Sequence, residues 1–256
     1  MIITSPPLTP PAADQRRAPG AQLTNMALAL RTMADCHHAG DDSPRLSVFY
    51  GPSGYGKSVA AAFTGVRTRA VYVEARSVWT QRSILEALAR ELGIARLERT
   101  APRLLQQVVD QLASDPVPLI IDEMDYLVKR QAVDLIRDIH DATRVGIMMI
   151  GMESLPSKLR AWEQFHNRII RFTPAQPASV DDACKLRDHY CAHVAVADDL
   201  VELIVDRCHG VTRRIVNNLK TVEREALDEG VGAVDRAWWG GRAIITGDVP
   251  TRKVAA

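Results

Sequence analysis

The sequence predicts an α/β protein in which a five-stranded parallel sheet with helices on both faces is followed by a small helical domain. Short apolar runs alternate with helix-like segments as far as residue 172, a pattern typical of parallel strands joined by crossover helices. A glycine-rich stretch, residues 51–58, lies between the first apolar run and the helix-like segment that follows it. Beyond Pro174 and Pro177 the pattern indicates helices alone. These three observations set the expected architecture.

The sequence pattern divides the chain into four predicted segments. Residues 1–22 are rich in proline and predict a disordered arm, residues 23–176 the sheet domain, residues 177–230 a helical lid, and residues 231–256 an irregular tail. The predicted strands cover residues 46–50, 69–74, 117–123, 146–151 and 169–172. The predicted helices of the sheet domain cover residues 24–33, 59–63, 81–92, 102–114, 129–143 and 154–165.

Composition excludes several classes of protein. The chain has 256 residues, of which 46% are apolar and 25% charged, as in ordinary globular domains. No apolar run approaches the ~18 residues of a membrane span, and no signal-peptide pattern opens the chain, so we expect a cytoplasmic protein without a membrane partner. The formal net charge is +1, so a contact with nucleic acid would need a local basic patch.

Cysteine and histidine residues are concentrated in the helical region. Cys184, Cys191 and Cys208 lie near histidines, and His189 and His193 have the i, i+4 spacing that places two side chains on one helix face. No Cys-x-x-Cys or other spacing typical of a zinc site occurs. Buried thiols and half-exposed imidazoles are therefore the favoured interpretation.

Residues 51–58 read G-P-S-G-Y-G-K-S, which matches the phosphate-binding pattern G-x-x-x-x-G-K-[ST]. Glycines allow successive backbone N–H groups to surround an anion, and the following helix directs the positive end of its dipole at the same phosphates. Lys57 is expected to contact the β- and γ-phosphates of ATP, and the Ser58 hydroxyl to bind Mg²⁺. The residues assigned to the nucleotide are Gly51, Pro52, Ser53, Gly54, Tyr55, Gly56, Lys57 and Ser58. A glycine-rich turn without a ligand is the alternative.

Two acids end the buried apolar run V-P-L-I-I-D-E. Carboxylates at the carboxyl end of a central parallel strand lie at the crevice where such sheets bind ligands. Asp122 is expected to hold Mg²⁺ through water, and Glu123 to orient and polarise the attacking water. The alternative is a pair of exposed acids at the end of a strand.

Four arginines are candidates for completing the site. Arg168 and Arg171 flank the start of the fifth strand, where one of them could act as a finger on the nucleotide of a neighbouring subunit. In G-V-T-R-R, Arg213 has the spacing of a lid arginine that reaches the γ-phosphate, with Arg214 as the second choice. Solvated helix charges are the alternative in each case.

Taken together, G-P-S-G-Y-G-K-S, L-I-I-D-E, H-N-R-I and G-x-T-R-R, with helices after the fifth strand, resemble an AAA+ ATPase of the P-loop NTPase class. The local sequences G-P-S-G-Y-G-K-S, I-G-M-E-S-L-P and the W-W-G region are similar to the transposition protein B of Mu-like phages and its TniB-like relatives. The resemblance covers residues 24–242. It implies an ATPase that assembles with ATP as a homo-oligomeric filament or ring on double-stranded DNA, without sequence preference. It also implies selection of target DNA, activation of a transposase, and release of DNA after hydrolysis.

The sequence departs from that family in two places. Only the short proline-rich arm precedes the ATPase region, where phage Mu protein B has a helix-turn-helix domain, so the ATPase region itself would have to bind DNA. Lys129 and Arg130 are the candidate contacts, with Arg76 and Trp79 as unranked additions. An exposed Lys-Arg pair at a helix start is the alternative.

The second departure concerns the position after the fourth strand, where many AAA+ proteins place Asn, Thr or Ser. Here the residues are Gly151, Met152, Glu153 and Ser154. Because a thioether cannot orient water by hydrogen bonding, slow hydrolysis is expected unless Glu153 or Ser154 takes that role.

Two other functions stay open at this point. A different AAA+ switch, such as a helicase loader or a secretion-associated ATPase, would bind ATP and act on a protein partner, with no effect of DNA. A small-molecule phosphotransferase could use the same loop, but the adjacent acids Asp122 and Glu123 favour activation of water.

Overall fold

The computed structural model describes residues 22–40 and 42–247. The predicted disordered arm lies outside the described residues except for Gln22, and so do residues 248–256 of the predicted tail. Within the described part of the chain, none of the helices has the length and apolar character needed to cross a membrane.

The described residues form twelve helices and seven strands, two of which are only two residues long. The helices are α1 Thr24–His37, α2 Lys57–Thr68, α3 Gln81–Glu91, α4 Ala101–Ser114, α5 Met124–Lys129, α6 Val133–Thr143, α7 Leu155–Leu159, α8 Glu163–His166, α9 Val180–Tyr190, α10 Asp198–Cys208, α11 Thr212–Asp228 and α12 Arg236–Trp239. The strands are β1 Leu46–Tyr50, β2 Val71–Glu74, β3 Leu119–Asp122, β4 Ile147–Gly151, β5 Ile169–Pro174, β6 Ala195–Val196 and β7 Ala233–Val234.

The first five strands form one parallel sheet in the order β2-β3-β4-β1-β5. Successive side chains along a strand point to opposite faces, and both faces are buried here, which explains the continuous apolar runs in the sequence. One face packs on α1 and α2 through Phe49, Ile120, Met148 and Ile150. The other packs on α3 to α8 through Val48, Ile121, Ile147 and Met149. The predicted α/β fold class, with helices on both faces of a five-stranded parallel sheet, is confirmed.

The helix predicted over residues 129–143 is confirmed from Val133 to Thr143, but its predicted start at Lys129 is wrong. Helix α5 ends at Lys129, and α6 begins at Val133. Between them Gln131 adopts the left-handed conformation with φ 55°, while the Ala132 N–H donates to the Leu127 carbonyl at 2.9 Å. This is a helix C-terminal motif that usually contains glycine, so glutamine at this position gave no signal of a break.

The helix predicted over residues 154–165 is also divided. Helix α7 ends at Leu159 and α8 begins at Glu163, with Trp162 in a non-helical conformation between them. The prediction failed because the apolar spacing is continuous across both pieces. Leu155, Leu159 and Phe165 are all buried in the same core.

No strand was predicted beyond Pro177, but β6 in the predicted lid pairs in parallel with β7 in the predicted tail. The separate core of the helical domain is built from α9, α10 and α11. Packing continues beyond residue 230, because Trp239 is 2% exposed in this core. Arg242 stacks over the Trp238 ring at 4.3 Å and donates to Glu229 at 2.7 Å. The division of the chain at residue 230 stays a prediction.

Candidate nucleotide-binding site

The glycine-rich loop lies between the carboxyl end of β1 and the first turn of α2. Gly54 and Gly56 have φ values of 84° and 79°, which glycine adopts without strain. Helix α2 begins at Lys57 and has no side chain capping its N-terminus. Its first N–H groups are therefore available to an anion, as a phosphate loop requires.

Lys57 extends back over the loop. Its Nζ atom donates to the carbonyl oxygens of Gly51 and Pro52, each at 2.8 Å. Burial lowers the pKa of Lys57, and the positive charge of Arg213 lowers it further, against the effect of nearby carboxylates. A triphosphate would supply compensating negative charge to this ammonium group.

Asp122 ends β3 beside the loop and is only 2% exposed. Its Oδ1 atom accepts the Glu123 N–H at 2.8 Å, and its Oδ2 atom accepts the Tyr72 hydroxyl at 2.9 Å. Burial and the charge of Asp122 raise the pKa of Tyr72, so this hydroxyl stays a donor at neutral pH. Asp122 is thus a buried, oriented carboxylate at the edge of the cleft.

Glu123 follows in a left-handed conformation with φ 55° and precedes α5. Non-glycine residues rarely adopt this region, and where they do the strain is often associated with function. Its side chain lines the same cleft as Lys57 and Asp122. Burial raises the pKa of Glu123, and the carboxylates of Asp122 and Asp125 raise it further.

The segment after β4 closes the cleft on one side. Gly151 and Met152 line it, whereas Glu153 and Ser154 are exposed and do not. The Met152 N–H donates to Asp125 Oδ2 at 2.7 Å. A Cβ atom at Gly151 would lie 2.4 Å from that oxygen, so glycine is needed there.

The opposite wall is the start of α11. The Arg213 N–H donates to the Gly54 carbonyl at 3.0 Å, and the Arg213 side chain lines the cleft. Arg214 instead lies against Gly247, where a Cβ atom would be 2.6 Å from Arg214 Nη2. Of the two predicted lid arginines, the structure brings only Arg213 to the loop.

An apolar cavity of about 200 Å³ continues from the phosphate end of the cleft. Its apolar walls come from both domains: Leu23, Met26, Tyr55, Val59, Leu186, Tyr190 and Val216. Gly56, Val59 and Thr212 line both this cavity and the phosphate cleft, so the two are contiguous. A nucleobase is a flat ring with apolar faces. An apolar cavity beside a phosphate loop is therefore suited to bind it.

Asn25 connects three segments of the chain around this cavity. No sequence pattern predicted this role. Its Nδ2 atom donates to the Tyr55 and Gln176 carbonyls, each at 2.8 Å, and its Oδ1 atom accepts the Gln176 N–H at 2.8 Å. The three segments are far apart in the chain, so no local pattern reveals the contact. Tyr72 was missed for the same reason, since it lies 50 residues from Asp122.

The other predicted residues lie outside the cleft. Arg168 makes a two-point ion pair with Asp141, with both N···O distances 2.7 Å. Arg171 pairs with Asp35 at 2.8 Å. Arg130 donates to the Ser77 carbonyl at 2.9 Å. Lys129 is exposed at the end of α5.

The residues around the cleft fit a nucleoside triphosphate with Mg²⁺. An uncapped helix N-terminus and a lysine suit phosphate, and a buried carboxylate that lines the same cleft as Ser58 suits a hard cation. A Cβ atom at Gly54 would lie 2.8 Å from Val211 Cγ1, so only glycine lets the helical domain approach the loop this closely. Elsewhere, the part of the chain that the structure describes contains no grouping of three His, Cys, Asp or Glu side chains suited to a metal.

Comparisons with known proteins agree with this geometry. A protein-family model described as "AAA domain" matches residues 40–159. The fold, with its five-stranded parallel sheet, is similar to that of solved AAA+ structures. The chain has the AAA+ P-loop fold. A search of curated proteins finds no match.

Three archaeal AAA+ structures illustrate the similarity. The ORC2 protein of Aeropyrum pernix, solved as ADPNP-ADP complexes, has a TM-score of 0.67 and 19% identity over 84% of this chain and 65% of that chain. The ORC1 protein of A. pernix in complex with DNA gives 0.60 and 18% over 86% and 64%. Cdc6p of Pyrobaculum aerophilum gives 0.59 and 15% over 88% and 66%. The chain therefore spans slightly less than two thirds of each of these proteins, and at such identities the AAA+ fold is what the similarity establishes.

Proposed function

We propose that this protein is an ATP-dependent molecular switch that hydrolyses ATP slowly and binds double-stranded DNA when ATP is bound. The observation that carries the proposal is the contact of α11 with the phosphate loop. The Arg213 N–H bonds to Gly54, and the Arg213 side chain shares the cleft with Lys57. A γ-phosphate there would bind both domains at once, so its loss would change how they are held together.

Each residue of the cleft has a role in this proposal. The loop N–H groups and Lys57 bind the phosphates, while Ser58 and Asp122 would hold Mg²⁺, Asp122 through water. The cation would neutralise charge on the phosphate oxygens. Glu123 orients and deprotonates the attacking water. Met152 in place of a polar side chain supports a slow rate, because it offers water no strong hydrogen bond.

Two candidates for a trans-acting finger remain, Arg168 and Arg171. Each is paired with a carboxylate of its own chain, Asp141 and Asp35 respectively. To reach a neighbouring nucleotide, either guanidinium would have to exchange its partner for phosphate. Such an exchange would make hydrolysis depend on assembly of a homo-oligomer.

DNA is proposed as the ligand of the surface at the end of α5. The A. pernix ORC1 protein, which shares this fold, was solved in complex with DNA. Lys129 is exposed and is the proposed phosphate contact, whereas Arg130 donates to the Ser77 carbonyl and connects the loop after β2 to α5. Repetition of this surface in an oligomer would give strong DNA binding without a basic monomer.

The more specific proposal is that the protein forms cytoplasmic filaments on DNA, selects target DNA and activates a transposase. It rests on the resemblance of residues 24–242 to the TniB-like family. A switch acting on a protein partner, such as a helicase loader or a secretion-associated ATPase, shares the nucleotide site and differs in being indifferent to DNA.

Arg213→Ala is expected to weaken ATP binding about tenfold while leaving ADP binding almost unchanged, because one charge-assisted contact to the γ-phosphate contributes roughly 1.5 kcal/mol. Arg214→Ala is the matched control, since this neighbouring arginine lies outside the cleft. Titration of both variants with fluorescent ATP and ADP analogues would test the lid contact. Equal losses in the two variants, or none in Arg213→Ala, would refute it.

Binding to labelled random-sequence duplex DNA tests the switch. With ATP we expect tight binding that weakens strongly as salt is raised, and with ADP or without nucleotide we expect weak binding. Lys129→Ala should weaken this binding several-fold without changing ATP affinity. Arg224→Ala, which removes an exposed charge from α11, is the control. DNA binding that ignores nucleotide, or its absence, would favour the protein-partner switch.

A further inference from the structure

Tyr72 does not line the phosphate cleft, yet its hydroxyl group donates to the carboxylate proposed to hold Mg²⁺. We propose that Tyr72 is a positioning residue that orients the Asp122 carboxylate for its hydrated cation. This inference rests on the proposed nucleotide site and deepens it. Nothing in the local sequence of β2 marks the residue for this role.

Strand pairing explains how Tyr72 reaches Asp122. In the parallel pair of β2 and β3, Tyr72 lies opposite Ile120, and Asp122 is two residues further along β3. Residues two apart in a strand share a face of the sheet. A long aromatic side chain can therefore cross diagonally to the carboxylate, which a Ser or Thr at the same position would be too short to do.

The Tyr72 ring packs on the face of the sheet that is covered by α2, the helix that follows the phosphate loop. Tyr72 packs beside Ile120 in the core under α1 and α2. Gly65 of α2 lies beside Tyr72, since a Cβ atom at Gly65 would be 3.9 Å from Tyr72 Cβ, an ordinary contact distance. Tyr72 therefore packs in the same core as α2, the helix whose uncapped N-terminus is proposed to bind the phosphates.

Asp122 then has one donor on each oxygen atom, the Glu123 N–H on Oδ1 and Tyr72 on Oδ2. Two donors on different oxygens prevent rotation of the carboxylate plane. Each carboxylate oxygen accepts two hydrogen bonds, so one position on each stays available for water bound to Mg²⁺. Partners of this kind, outside the direct ligands, orient metal-binding groups and influence metal affinity.

Tyr72→Phe keeps the ring and its packing but removes the donor to Oδ2. The variant is expected to need about tenfold more Mg²⁺ for half-maximal strengthening of ATP binding. Its affinity for ATP in EDTA should equal that of the wild type, because the hydroxyl does not line the phosphate cleft. Tyr126→Phe is the control, since Tyr126 packs on the opposite core and lies outside the cleft.

The experiment follows a fluorescent ATP analogue by anisotropy, first in EDTA and then during a Mg²⁺ titration, for the wild type and both variants. A raised Mg²⁺ midpoint in Tyr72→Phe alone, with unchanged affinity in EDTA, supports the inference. An unchanged midpoint overturns it, and so does a parallel loss of melting temperature and EDTA affinity, which would indicate a structural role only. If the wild type binds no ATP under any condition, the proposed function fails and the inference fails with it.

Discussion

Lys57→Ala is expected to weaken ATP binding at least about 100-fold. The Nζ atom already lies within 2.8 Å of two loop carbonyls, so it needs little movement to reach phosphates bound in the loop. Charge-assisted hydrogen bonds contribute roughly 1.5–3 kcal/mol each, and two such contacts account for a loss of this size. Binding of a fluorescent ATP analogue measures it directly.

The control for Lys57→Ala is Lys129→Ala, which removes the same charge at an exposed position outside the cleft. The control should bind ATP as the wild type does. Melting of both variants without nucleotide would show whether the fold is kept, since Lys57 also joins two carbonyls of the loop. ATP affinity unchanged in a folded Lys57→Ala protein would contradict the assignment of residues 51–58 to phosphate.

The parts of the fold that the sequence predicts are those set by local patterns. Strands buried on both faces are mostly apolar, so β1, β3 and β4 are visible as short runs despite the polar Ser47 and Asp122. Residues 51–58 form one contiguous stretch, and the two acids at the end of β3 form another. Because the carboxyl ends of parallel strands share one edge of the sheet, their meeting follows from the fold class alone.

What the sequence does not predict depends largely on tertiary contacts. Gln131 follows α5 in the left-handed conformation, for which glycine is the usual signal. Asn25 and Tyr72 act on segments far away in the chain. The choice between Arg213 and Arg214 depends on the direction of each side chain from α11, which spacing alone does not decide. For Asn25, Tyr72 and the two arginines the partner is not a sequence neighbour, whereas the break at Gln131 is made by local backbone hydrogen bonds without the usual glycine.

Glu123→Gln is expected to keep ATP binding and to lower the hydrolysis rate about 100-fold or more, the usual contribution of a general base. The amide keeps the size of the side chain but cannot take a proton from water. Single-turnover hydrolysis, measured beside ATP affinity, separates the two effects. The variant should also accumulate the ATP-bound assembly, visible as a larger species with ATP and DNA.

Glu153→Gln is the matched control for this substitution, because Glu153 is exposed and does not line the cleft. It should hydrolyse ATP at the wild-type rate. Hydrolysis by Glu123→Gln at the wild-type rate would show that another group activates the water. A loss of rate in Glu153→Gln instead would give this role to the segment after β4.

Glu123→Gln, which should slow hydrolysis, is expected to raise the stability of the nucleotide-free protein. Burial and the charges of Asp122 and Asp125 raise the pKa of Glu123. A carboxyl group whose pKa is higher in the folded than in the unfolded chain destabilises the fold while it is ionised. This destabilisation decreases as the pH falls through the pKa of the folded chain, and it is gone once the pH is below the pKa of the unfolded chain. Glu123→Gln should therefore melt above the wild type at neutral pH, with a difference that shrinks on acidification. A variant that hydrolyses slowly and is more stable without nucleotide would show that Glu123 is kept for chemistry, at a cost to the fold.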